Sequence, residues 1–132
     1  MELSVDAVID NLDIVMDFVN TELEMSGCDK KIKTQISIAI EEIYTNIANY
    51  AYQPEIGGVM IRMTVGKEIV IEFEDNGAPY NPIEKPDPDI TKSAEEREIG
   101  GLGIFMVKKM MDSIDYQHVD HKNILTIRKG IA

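Results

Sequence analysis

Glu42, Asn46 and Asn49 stand at i, i+4 and i+7, a spacing that sets a carboxylate and two carboxamides on one face of a helix. A carboxylate and a carboxamide one turn apart can serve as proton acceptor and as oxygen ligand for a hard cation such as Mg²⁺. The same spacing also suits a solvated polar face with helix-internal hydrogen bonds. A second segment, Asp75-Asn76-Gly77-Ala78-Pro79, begins where an alternating apolar stretch stops. An acceptor-only carboxylate held there can take a hydrogen bond from an exocyclic amine such as that of adenine, and Gly77 would let the backbone approach a ligand closely. Asn76-Gly77 is also a favoured hairpin dipeptide, but Pro79 and Pro82 follow where a partner strand should start, and proline cannot donate to a ladder. A third segment, Gly100-Gly101-Leu102-Gly103, directly precedes an apolar helix over 104 to 111. Helix N-termini present unpaired amides and a partial positive charge, and glycines admit phosphate oxygens to them, although glycines there could equally form a hinge. It is not a P-loop, since no Gly-Lys-Ser/Thr follows, nor a dinucleotide-binding βαβ turn, since a long proline-rich loop precedes it.

Three helices and four strands must position these segments. Ile9, Leu12, Met16, Val19 and Leu23 recur at steps of three and four, which predicts a first helix with one apolar stripe ending at Ser26-Gly27. Asp29 is the expected N-cap of a second helix running to about Tyr50, with the stripe Ile32, Ile36, Ala39, Ile43, Ile47 and Tyr50. Val59, Ile61, Met63 and Val65, then Ile69, Ile71 and Phe73, alternate with other residues around Gly66-Lys67, the pattern of a hairpin. From Asn76 to Ile99 the chain carries Pro79, Pro82, Pro86 and Pro88 and no stable period, so a long functional loop is expected there. The third helix carries Ile104, Phe105, Val107, Met110 and Met111, and two strands close the chain, about Ser113 to Val119 and Asn123 to Lys129. Helices before, between and after strand pairs imply an α+β fold, a two-layer α/β sandwich with a mixed or antiparallel sheet.

The chain has 24 acidic and 13 basic residues, a formal net charge of -11, which argues against nucleic acid or an anionic membrane as partner. An anionic ligand is still possible, because local amides and a bound cation outweigh distant carboxylates screened beyond roughly 10 Å. A chain of 132 residues with 44% hydrophobic content is expected to fold as one domain, 1–132. A single cysteine, Cys28, a start without signal-peptide features and apolar stretches far short of the roughly 20 residues that span a bilayer point to a soluble cytoplasmic protein.

In this order the three segments resemble the asparagine box and the two glycine boxes of the GHKL ATPases, which include gyrase, MutL and histidine kinases. They are Glu42-Ile43-Tyr44-Thr45-Asn46, Asp75-Asn76-Gly77-Ala78-Pro79 and Gly101-Leu102-Gly103. Most similar are the small anti-sigma-factor kinases of the RsbW and SpoIIAB kind. The resemblance implies the GHKL (Bergerat) ATP-binding fold, with a mixed sheet and about three helices on one face, and ATP and Mg²⁺ as cofactors. It implies Glu42 as general base and Asn46 as the Mg²⁺ ligand. It places Asn46, Asn49, Asp75, Gly77, Arg97, Gly101, Leu102, Gly103 and Thr126 at the nucleotide, beneath a lid of about 84 to 99. Asp75 would receive the adenine amino group and Thr126 would help hold adenine through water, while Arg97 could instead pair with Glu95, Glu96 or Glu98. The implied function is a serine/threonine kinase that phosphorylates a STAS-type antagonist and inhibits a sigma factor, and the resemblance is compatible with a homodimer. The alternative is a non-enzymatic, nucleotide-dependent partner-binding switch. His118 and His121 fit a strand and its turn better than a zinc site, Lys108 and Lys109 complement a helix dipole, and Met110-Met111 fits the core.

Overall fold

The computed structural model describes residues 1–50, 57–79 and 101–131. Its elements are β1 (Glu2–Asp6), a 3-10 turn (Ile9–Asn11), α1 (Leu12–Ser26), α2 (Lys30–Tyr50), β2 (Gly58–Val65), β3 (Glu68–Asp75), α3 (Gly101–Met110), β4 (Ser113–Val119) and β5 (Lys122–Gly130). The strands form one sheet in the order β1-β2-β3-β5-β4. Of the mixed and antiparallel alternatives, every pairing between these strands is antiparallel. The segment that would form a lid, with Arg97 in it, lies outside the described residues, as does Gly100.

Two periods build the core. On the strands, Val59, Ile61 and Met63, then Ile69, Ile71 and Phe73, then Leu125 and Ile127 all fall on one face and are buried, as a period of two requires. Against them lie Val15, Val19 and Leu23 of α1, Ile36, Ala39, Ile40, Ile43 and Tyr44 of α2, and Val107 of α3, all in one apolar cluster. Each such side chain taken from water contributes about 1.5–3 kcal/mol before conformational entropy is charged against it. Three helices therefore cover one face of the sheet.

The helix ends follow from local chemistry. Gly27 closes α1 in the left-handed conformation with φ of 72°, its amide donating to the Glu24 carbonyl. Asp29 opens α2 as expected, its Oδ1 accepting from the Ile32 amide at 2.9 Å. The start of α1 differs from the sequence expectation. Ile9 belongs to the 3-10 turn and is 46% exposed, so the stripe that enters the core begins at Leu12 and centres on Val15, Val19 and Leu23.

The strand β1 is the element that the sequence pattern does not announce. It offers only Leu3 and Val5 to the core, and its register, Leu3 opposite Ile61 and Val5 opposite Val59, depends on residues more than fifty positions away. It is tied in by Tyr44, a fully buried residue of α2 whose hydroxyl donates to the carbonyls of Val8 at 2.6 Å and Asp6 at 3.1 Å. The face of the sheet turned from the helices is polar, with Arg62 3.4 Å from each of Glu2, Glu72 and Glu74. Such half-exposed pairs add little individually.

Burial raises the Tyr44 phenol above its ordinary value of 10.0, with the backbone at Val8 opposing and the Asp6 charge adding to the rise. Its stabilising contribution is thus fully present below pH 10 and is lost as pH rises beyond that value. Tyr44→Phe removes one donor from two carbonyls that keep others, Val8 O from the Asn11 amide and Asp6 O from the Val8 amide and Asn11 Nδ2, so thermal melts at pH 7 should show a loss of about 0.5–1.5 kcal/mol. Unchanged melting would mean that this hydroxyl does not hold β1 to α2.

Candidate functional site

The parity that builds the core also places a carboxylate inside it. Asp75 is in phase with Ile69, Ile71 and Phe73, so its side chain faces the helical layer and is only 4% exposed. A carboxylate buried to that degree needs donors. Its Oδ1 accepts from the Gly77 amide at 2.9 Å and from Asn123 Nδ2 at 2.9 Å, whereas Oδ2 takes no hydrogen bond among the described residues. One oxygen is fixed by the protein and the other is left as an acceptor.

Asn123 is the partner that the register supplies. It lies directly across from Asp75 between β3 and β5 and is 6% exposed. Its Nδ2 also donates to the carbonyls of Ala78 at 2.9 Å and Gly77 at 3.3 Å, which ties the turn after β3 to the start of β5. Its Oδ1 accepts from the Tyr116 hydroxyl and stands 3.2 Å from His118 Nδ1. Asn123 carries no motif and is absent from the sequence expectation, but its phase with Leu125 and Ile127 marks it as inward-facing.

The same phase corrects the expectation for Thr126. Three residues along a strand from Asn123, it must point to the opposite face, and it stands in the polar row between Glu72 and Asp115. It cannot reach a ligand beside Asp75. The likeness rested on residue type near the chain's end, which parity overrides.

On α2, Glu42 and Asn46 are half-buried and Asn49 is exposed. The Nδ2 of Asn46 is buried and has no hydrogen-bond partner among the described residues. An orphaned amide beside the core is costly, so this position suits a site that a ligand completes. On the same helix, Glu42 stands one turn before it and Asn49 three residues after it, and carboxylate and carboxamide oxygens are of the kind that a hard cation such as Mg²⁺ takes.

α3 begins at Gly101 rather than after Gly103, so residues 101–103 form its first turn and their amides are among those with no intrahelical acceptor. The helix packs beside α2, with Ile104 and Val107 buried. Lys108 and Lys109 occupy its last turn, where cations complement the dipole, and Lys109 Nζ also sits 5.4 Å from the Phe105 ring centre. Met111 is buried and Met110 packs partly against the core. Among the described residues no cluster of His, Cys, Asp or Glu could hold a metal, His118 and His121 included. No helix among them is long and apolar enough to cross a membrane.

The chain belongs to the histidine kinase-like ATPase domain family, whose profile matches residues 5–129. Among curated proteins it is similar to the serine/threonine-protein kinase BtrW of Bordetella bronchiseptica, 26% identical over 105 residues that cover 77% of this chain and 73% of BtrW. It is also similar to the serine-protein kinase RsbW of Bacillus cereus and of Bacillus mycoides, each 32% identical over 95 residues covering 68% of this chain. The matched segment spans only 59% of those RsbW proteins.

The pairing of Asp75 with Asn123 has a pH signature. Asn123→Asp would set two carboxylates at hydrogen-bond distance, raising the pKa of the pair in the folded state. The folded protein then binds more protons than the unfolded chain, so the deficit relative to the natural protein should be about 2–4 kcal/mol at pH 7 and shrink as pH falls toward 4. Denaturant titrations at pH 7 and pH 5 read this directly. A deficit independent of pH would contradict the proximity of the two groups.

Proposed function

We propose that this chain binds ATP with Mg²⁺ and transfers the γ-phosphoryl group to a serine or threonine of a partner protein, as an anti-sigma regulatory factor acting on a STAS-type antagonist. The observation that carries the reading is Asp75, buried with one oxygen held by Gly77 and Asn123 and the other taking no hydrogen bond among the described residues. A carboxylate so held accepts an exocyclic amine and repels a carbonyl, which is the distinction between adenine and guanine. Membership of an ATPase-domain family and similarity to proteins named as serine kinases support it.

Each residue then has a role. Asp75 takes the adenine amine and Gly77 lines the base pocket. Asn46, with its unpartnered amide, and Asn49 one turn on would lie at the phosphate side of the nucleotide, and Asn46 Oδ1 would hold Mg²⁺. The first-turn amides of Gly101, Leu102 and Gly103 would receive phosphate oxygens. Glu42, one turn before Asn46, would accept the proton of the attacking hydroxyl. Arg97 would contact the phosphates from the lid. When bound, Mg²⁺ and ATP supply the transferable group and neutralise its charge. The protein's part is positioning and proton acceptance, which is where phosphoryl transfer gains most of its rate. A cytoplasmic location, a sigma-factor partner and a homodimer belong to the same proposal.

Calorimetric titration with ATP and ADP, with and without Mg²⁺, tests the pocket. Asp75→Asn should weaken both nucleotides by about 10- to 100-fold, the value of a hydrogen bond to a charged group. Asn46→Ala should remove the Mg²⁺ dependence. Glu42→Ala should leave ATP binding intact and cut transfer to a STAS-type protein by about 10²- to 10⁴-fold, measured with labelled ATP. Partner binding that survives alongside no phosphorylation by the natural protein would favour the non-enzymatic switch.

A further inference from the structure

The hydrogen bonds around Asp75 do not stop at Asn123. The Oδ1 of Asn123 faces two groups of the edge strand β4, the Tyr116 hydroxyl, which donates to it, and His118 Nδ1 at 3.2 Å, which donates when its proton is on that nitrogen. Tyr116 and His118 project to the same face of β4 two residues apart and bracket Asn123, which is paired with His118 in the register. A side-chain amide can rotate by half a turn about its last bond at little cost unless its neighbours distinguish oxygen from nitrogen. Here they do so on both sides. Donors stand at the oxygen, while three acceptors, Asp75 Oδ1, Gly77 O and Ala78 O, stand at the nitrogen.

We propose that Tyr116 is a positioning residue for base recognition, acting through Asn123 to hold Asp75 in the orientation that prefers adenine over guanine. This rests on the reading of Asp75 as the group that receives the base. Without the hydroxyl of Tyr116, the amide loses a donor that forbids its rotation. In the rotated form its oxygen would face the Asp75 carboxylate, which would turn away. The Asp75 oxygen offered to the ligand is then no longer fixed, and the preference for an amine donor over a carbonyl weakens. The ring of Tyr116 packs on the core independently of its hydroxyl, so the relay can be cut without removing apolar contact.

The test uses the full chain and four proteins: natural sequence, Tyr116→Phe, Asn123→Ala and the double variant, each titrated with ATP and with GTP in Mg²⁺. Tyr116→Phe should lower ATP affinity about three- to tenfold, the range of one neutral hydrogen bond, and lower GTP affinity less, narrowing the preference between them. Asn123→Ala should cost at least about tenfold for ATP. The double variant should bind ATP no more weakly than Asn123→Ala alone, because the relay runs from the hydroxyl through that amide. Equal losses for ATP and GTP, or additive losses in the double variant, would overturn the relay, since a purely structural tyrosine predicts both. If Asn123→Ala does not fold, Tyr116→Phe alone decides, an unchanged ATP-to-GTP ratio being the adverse result. A natural protein that binds no ATP overturns the reading of Asp75 together with the relay. ATP binding that is lost in Asp75→Asn but indifferent to Tyr116→Phe overturns the relay alone.

Discussion

A strand's two-residue period admits no exceptions along its length, and β3 ends in phase with its own core face. That leaves Asp75 under the helices, where an ionised carboxylate is tolerated only with donors around it. Much of the local structure answers to that need. The turn after β3 curls so that the Gly77 amide reaches back to the carboxylate, and β5 enters the sheet with an asparagine at the one place where its amide can meet both the carboxylate and the turn. The polar pocket is a consequence of continuing an apolar alternation one step too far for an apolar residue.

The second support comes from the helical layer. α2 is the longest element, and it carries both the expected phosphate-side residues and Tyr44, which reaches back to the chain between β1 and α1. Tyr44 lies between Glu42 and Asn46 in sequence but on the opposite side of the helix, so anchoring one face orients the other. Through this contact the edge strand β1, with its small apolar contribution, acquires a role in setting the helix that faces the site.

The helices and both hairpins were legible because each repeats a pattern over many residues. The stripe through Val19 and Leu23, the alternation through Ile61 and Phe73, and the cap at Asp29 all use local rules and reappear in the fold. β1 was not legible, since two inward apolar residues do not distinguish a strand from a loop and its partner is distant in sequence. At the site, Asp75 could be located from its motif and its parity together. Thr126 and Asn123 show what happens when parity is left out: residue type favours the threonine, while geometry places the asparagine beside the carboxylate.

The turn between β4 and β5 is held by two non-glycine residues with positive φ, Asp120 at 54° and His121 at 64°, the conformation that a two-residue hairpin needs. Both residues lie on the surface. Yet the turn fixes which residues of β4 flank Asn123, while the pairing of β5 with β3 sets Asn123 across from Asp75. Surface loops ordinarily absorb insertions and deletions without harm. This one would not, because one added or lost residue that shifted β5 would turn Asn123 to solvent and bring Lys122 or Ile124 opposite Asp75 in its place, making an outwardly permissive loop among the least tolerant positions for changes in chain length.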